Sequence, residues 1–150
     1  MKLFIAADHA GFTKKNELAQ KLELDYEVFD MGPYKLDPDD DYPIYAKKVA
    51  LAVSENPNSM GLLICHSGEG MAIAANKIRG IRAATAMNKH QAFETRQDND
   101  SNVLSLSASE LSNKELLEIT KTWLETPFSE LARHKRRIEE IEAIEEETGL

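Results

Sequence analysis

Between Met60 and Lys77 the chain passes from an apolar run, through a glycine-spaced turn, into a run of helix formers. Leu62, Leu63 and Ile64 predict a buried strand that stops at Cys65. Ser67, Gly68 and Gly70 predict a loop, and a helix is expected from Met71. Glycine lets the backbone turn tightly, so successive N–H groups can face one concavity at a helix start, where the macrodipole favours an anion. A cysteine at the strand's last position sits beside that positive end, so its thiol pKa is expected to be lowered and its thiolate fraction raised. A plainer assignment stands beside this one: a single cysteine after a buried strand is often a small core residue, and paired glycines often only turn the chain.

The strand, turn and helix alternation recurs along the whole chain. Lys2–Ala7 predicts a strand ending in Asp8-His9-Ala10-Gly11, and Phe12, Leu18, Ala19 and Leu22 then predict a helix to Leu24. Tyr26–Phe29 reads as a second strand, stopped by Asp30-Met31-Gly32-Pro33, and beyond the acidic loop at 37–41 a helix is expected over Ile44–Val53. Arg82–Ala86 predicts a strand, Lys89–Arg96 a helix and Asn102–Leu106 a fifth strand. Ser112 with Glu115 forms a capping-box signature for a helix to Glu125, which Thr126-Pro127 stops. The segment Arg133–Glu147 is a charged helix with Ile138, Ile141 and Ile144 on a narrow stripe.

Such alternation predicts an α/β, three-layer Rossmann-like fold in one domain over residues 1–150, with a mainly parallel five-stranded sheet and a C-terminal helical arm. Ligands of open parallel sheets gather beyond the carboxyl ends of the strands. That rule puts Asp8-His9, Gly32, the Cys65 loop and the Ala86-Met87-Asn88 turn on one rim. The isoleucine stripe fits an arm packing on a partner subunit or a helix lying across its own domain.

Charge narrows the partners. A net charge of −8 argues against nucleic acid or an anionic membrane surface, and leaves room for a phosphorylated small molecule held by local arginines. No apolar run is long enough to span a bilayer, and Met1-Lys2 leads directly into a strand without a signal-peptide pattern, so a cytoplasmic protein is expected. One cysteine rules out an internal disulfide. His9, His66, His90 and His134 lack metal-ligand spacing, so no metal or other cofactor is expected.

Several short motifs occur in a fixed order: Asp8-His9-Ala10-Gly11, Asp41-Tyr42-Pro43, Ile64-Cys65 with Ser67-Gly68 and Gly70, Asn76-Lys77, Gly80-Ile81-Arg82-Ala83, Asn99-Asp100 with Asn102-Val103-Leu104, Trp123-Leu124, and Arg133-His134 with Arg137. Together, over nearly the whole chain, they resemble the ribose-5-phosphate isomerase B family, which includes the galactose-6-phosphate isomerase subunits. The resemblance implies a homodimer or dimer of dimers with active sites between subunits. It also implies metal-independent interconversion of ribose 5-phosphate and ribulose 5-phosphate through an enediolate, in the pentose phosphate pathway. Cys65 is implied as the base, the amides from Ser67 through Gly68, Glu69 and Gly70 as the anion hole, and the Ser67 hydroxyl as a sugar contact. Asn99 is implied as an amide donor near the reacting oxygens, His9, Arg133 and Arg137 as phosphate ligands, and Asp8 and Tyr42 as hydroxyl ligands. Read without the resemblance, Arg133 and Arg137 flank Lys135 and Arg136 and fit a solvated helix face, although a spacing of four puts them on one side.

The chain departs from the family pattern at three places. Asp98 stands where a ring-opening histidine is usual; a carboxylate can accept the anomeric proton but is a poor acid unless its pKa is raised. Ser109 replaces an arginine that helps bind phosphate from the neighbouring subunit. His66 and Glu69 replace a glycine and a neutral residue. His66 is a candidate for ring opening or for a cation beside Cys65, and Glu69 is either a cavity residue or a solvated carboxylate. These departures keep two alternatives open: an isomerase of another aldose or hexose phosphate, and a non-catalytic sugar-phosphate binding protein.

Overall fold

The computed structural model describes residues 1–150 and places eleven elements in strict alternation until the last helix. These are β1 (Lys2–Ala7), α1 (Phe12–Leu22), β2 (Glu27–Asp30), α2 (Tyr42–Glu55), β3 (Met60–Cys65), α3 (Glu69–Ala75), β4 (Ala83–Thr85), α4 (Lys89–Asn99), β5 (Val103–Ser107), α5 (Asn113–Glu125) and α6 (Ala132–Thr148). The strands form one sheet in the order β2-β1-β3-β5-β4, and every pairing is parallel. Ile5 lies beside Leu62, and Leu62 beside Leu104, so side chains of like parity share a face. On one face Leu3, Ile5, Leu62, Ile64, Leu104 and Leu106 pack against Leu18 and Leu22 of α1 and Leu116, Ile119 and Trp123 of α5. On the other, Phe4, Ala6, Leu63 and Val103 pack against Val49 and Val53 of α2 and Met71 and Ala75 of α3. Burial on both faces is why the strands read as continuous apolar runs.

Several helix boundaries differ from the sequence expectation by one to three residues, α1 ending at Leu22 rather than Leu24 among them, and three of the differences have a clear local reason. The second helix begins at Tyr42 rather than Ile44, because Pro43 falls in the first turn, where its missing N–H leaves no helix bond unmade. The third begins at Glu69 rather than Met71, since Gly68 takes φ 85° and turns the chain directly into the helix. Helix α4 runs on from Arg96 to Asn99. Its C-cap, Asp100, has φ 46°, and its carboxylate is held by Arg96 at 2.6 Å and Arg82 at 2.9 Å, so the last turn is clamped from two sides. Lys15, fully buried, donates to Asp30 at 2.7 Å and to the Pro33 carbonyl at 2.9 Å, fixing the turn after β2 against α1. The Ser112–Glu115 capping box is present as expected.

Helix α6 lies along the amino edge of the sheet on its own chain. His134 is buried with Nδ1 2.7 Å from Ser129 Oγ, and at the other end the Gly80 N–H donates to Glu145 at 3.1 Å while Arg79 pairs with Glu146. Tethered at both ends, it leaves Ile141 42% and Ile144 57% exposed. No helix is long and apolar enough to cross a membrane.

Candidate active site

Cys65 ends β3, beside Ser107, the last residue of β5. The chain then crosses over the end of β5 and is held there by its carbonyls. Cys65 O accepts from Ala108 N–H at 2.8 Å, His66 O from Ser107 Oγ at 2.8 Å and Ser109 N–H at 3.1 Å, and Gly68 O from Ser105 Oγ at 2.5 Å. A side chain at Gly68 would lie 3.0 Å from the Leu106 carbonyl carbon, so the loop can settle on β5 only with glycine there. In a trans peptide the N–H points opposite the C=O. With these carbonyls turned toward β5, the amides of His66, Ser67 and Glu69 face away from it. Gly68 N–H donates to Cys65 Sγ at 3.2 Å, and Glu69 N–H to Ser67 Oγ at 3.4 Å.

The thiol pKa runs opposite to the sequence expectation. Burial pushes Cys65 up, and the amides of Gly68, Met71 and Ser67 oppose that rise without cancelling it, while the Asp8 charge adds to it. With Cys65 only 4% exposed, desolvation of the thiolate outweighs the loop's positive end.

Five more of the expected residues gather at the same edge. Asp8 ends the β1 turn, its carboxylate accepting from the Ala10 and Gly11 amides at 3.0 and 3.2 Å, and its own N–H reaches Ile64 O at 3.3 Å. His9 donates to Asp40 Oδ1 through its backbone N–H at 2.9 Å, and its ring Nδ1 lies 2.8 Å from the same oxygen. That hydrogen bond raises the His9 pKa, so the cation persists to higher pH than for a free imidazole. Tyr42 lies with its ring over Gly70, where a Cβ would approach Cζ to 2.7 Å. Glu69 occupies the first turn of α3 and is exposed; His66 turns out to solvent and its side chain makes no hydrogen bond, as neighbours leaving a strand point to opposite sides. Asp8, His9 and Asp40 bring three ligating atoms within 4.8 Å of one another, which is the one grouping here suited to a cation.

Asp98, Asn99, Arg133 and Arg137 are not part of this cluster. Asn99 closes α4, its carbonyl accepting from Arg82 just before β4, so it lies at the amino edge of the sheet. Roughly 13 Å of β5 separate that edge from the end where Cys65 sits. Asp98 Oδ1 stands 3.7 Å from Nδ1 of His134, and Arg133 and Arg137 are exposed without a hydrogen bond or ion pair. One chain therefore carries two groups of expected site residues on opposite edges.

Asp40, Ser105 and Ser107 are not singled out by the sequence, and His134 stands there in a motif without a role. Nothing distinguishes Asp40 within an acidic run, and a lone histidine on a charged helix carries no contact information. The serines did leave a signal: two hydroxyls, two residues apart, in a strand otherwise made of Val103, Leu104 and Leu106.

A parallel sheet whose central strand ends in a thiol beside turned main-chain amides defines the class: an α/β protein of the kind whose ligands gather past the strand ends. Known proteins narrow the class. Residues 3–141 match the family model described as Ribose/Galactose Isomerase, and the chain belongs to that family. It is 42% identical over 146 residues to a probable ribose-5-phosphate isomerase B of Mycoplasma pneumoniae, covering 97% of this chain and 95% of the relative. It is 40% identical to ribose-5-phosphate isomerase B of Escherichia coli K12, with 97% of each covered. Among solved structures, ribose-5-phosphate isomerase B of Mycoplasma genitalium with bound ribulose-5-phosphate superposes with a TM-score of 0.94 at 38% identity, covering 97% of both chains. The Clostridium thermocellum protein gives 0.94 at 39% identity, covering 99% of both.

Proposed function

We propose that this chain is a ribose-5-phosphate isomerase in which Cys65 is the base and the loop from Ser67 to Gly70 is the anion hole. The observation that carries this reading is the seating of Cys65 Sγ under the Gly68 amide, inside a loop whose His66 and Gly68 carbonyls are turned toward β5. Isomerisation takes the proton from C2 of the open-chain aldose to leave an enediolate across C1 and C2, moves the O2 hydroxyl proton to O1, and returns the carbon-bound proton to C1 to give the ketose. The thiolate takes and returns that proton. The amides stabilise the oxygen on which charge develops, an effect worth about 3–4 kcal/mol for each essential donor. A raised thiol pKa lowers the thiolate population but makes the thiolate present a stronger base. Asp8 and Tyr42 are placed for sugar hydroxyls and His9 for the phosphate.

The reading is completed by a second copy. Asn99, Arg133 and Arg137, with Asp98 beside His134, lie on the far edge of their own sheet, so they reach a thiol only if a partner chain packs edge to rim. The uncovered Ile141 and Ile144 on the same helix support a homodimer built through α6. In that dimer Asp98 and His134 serve ring opening and the two arginines grip phosphate. The test is ribulose 5-phosphate formation from ribose 5-phosphate by the purified wild-type protein without added metal. Turnover supports the reading. No turnover by folded protein rejects this sugar, and a panel of other aldose phosphates then separates a different isomerase from a binding protein.

A further inference from the structure

Strand β5 is buried along its whole length, yet two of its five residues are serines. Leu104 and Leu106 face the α1–α5 layer. Ser105 and Ser107 share the opposite face with Val103, where their register partners are Leu63 and Cys65. Each is 1% exposed, and a hydroxyl in such a layer is unfavourable unless it is bonded. Both are bonded to the loop above: Ser105 to the Gly68 carbonyl at 2.5 Å and Ser107 to the His66 carbonyl at 2.8 Å. Ser107 Oγ also accepts from Glu110 N–H at 3.2 Å and lies 3.2 Å from Ser109 Oγ, which ties the next turn to the same point.

We propose that Ser105 and Ser107 are positioning residues for the proton transfer, setting the planes of the 66–67 and 68–69 peptides so that the Ser67 amide faces the Cys65 thiol and the Glu69 amide faces the Ser67 hydroxyl. This deepens the isomerase reading and rests on it. Each carbonyl has a second donor, Ser109 N–H for His66 and Ala72 N–H for Gly68, so loss of one hydroxyl loosens the loop without detaching it. The Ser105→Ala and Ser107→Ala proteins therefore fold.

The test uses the single thiol of the chain, whose reaction with iodoacetamide reports Cys65 alone. The midpoint of the alkylation rate against pH moves up by about half a unit in Ser107→Ala and at least as far in the double variant, because the Ser67 amide that favours the thiolate is less well aimed; Ser105→Ala, which frees the peptide whose amide bonds the Ser67 hydroxyl, moves it less. Ser105→Thr, which keeps the hydroxyl, stays near wild type. In turnover, kcat falls about tenfold in each alanine variant with KM within about threefold, and a phosphorylated hydroxamate mimicking the enediolate loses affinity by the same factor as kcat. An alkylation midpoint unmoved in the double variant overturns the proposal, whatever its turnover. Since the thiol measurement needs no sugar, a wild-type protein inactive on ribose 5-phosphate would refute the isomerase reading while the bracing is still decided by its own profile.

Discussion

The carboxyl edge and the amino edge of this sheet carry functional groups of different construction. At the carboxyl edge the working parts are main-chain amides and a thiol 4% exposed, held by β5 through carbonyl bonds of 2.5 to 2.8 Å. At the amino edge they are long charged side chains on α6 and the last turn of α4, and Arg133 and Arg137 touch nothing in their own chain. The first edge is finished by folding one chain. The second has charge placed on a helix tethered at both ends, with Arg133 and Arg137 exposed. On the proposed reading, folding of one chain prepares the thiol and its amides, and a second copy adds Asn99 and the two arginines.

The largest expected effects fall on the groups nearest the reacting atoms. Cys65→Ala lowers kcat by at least about a thousandfold with no change in far-ultraviolet circular dichroism, since the residue removed is small. Asn99→Ala, on the other edge, lowers kcat by about a hundredfold. Full activity in Cys65→Ala would break the assignment of the base, and full activity in Asn99→Ala would make the amino edge irrelevant to turnover.

Mixing these two inactive proteins, with denaturation and refolding to exchange subunits, tests the comparison itself. A heterodimer then holds one site with Cys65 from one chain and Asn99 from the other, both intact. Random assortment makes half the dimers heterodimeric with one good site of two, so roughly a quarter of wild-type activity returns. If each chain held its own complete site, mixing would restore nothing.

Arg137→Ala separates phosphate grip from proton transfer. Loss of a charge-assisted hydrogen bond raises KM for the phosphosugar about tenfold to a hundredfold and leaves kcat within about threefold. Thermal stability is unchanged, because the free chain gives this side chain no contact to lose. A fall in kcat at unchanged KM would place the arginine elsewhere than on phosphate.

The two edges also differ in how far the sequence reveals them. The strand, turn and helix pattern, the all-parallel sheet and the Cys65 loop were legible because burial and glycine geometry are local properties of short segments. Cys65's pKa direction was not: a helix start is visible in sequence, but the desolvation that outweighs it depends on the burial of Cys65 in the layer that holds Met71 and Ala75 of α3. Arg133 and Arg137 read alike as solvated and as phosphate ligands, and they remain exposed within a single chain. The extension of α4 to Asn99 was hidden because Arg82, seventeen residues upstream, clamps its C-cap through Asp100.

The smallest expected effect concerns His9, the group proposed for phosphate on the carboxyl edge. Asp40 raises the His9 pKa through their hydrogen bond. A raised pKa keeps the imidazolium present to higher pH, so whatever the cation contributes is complete at low pH and is lost as pH climbs through the raised value. Above the phosphate's second pKa of about 6 the substrate is a dianion, and KM should then rise with pH as His9 discharges. In Asp40→Asn the imidazole loses its anionic partner, its pKa falls back toward the ordinary 6.5, and the rise in KM begins at lower pH. At the acid end of that window the variant and wild type have the same KM, because His9 is protonated in both. A parallel displacement of the two curves at every pH would mean that Asp40 acts by holding the loop at 37–41 in place rather than by holding the proton.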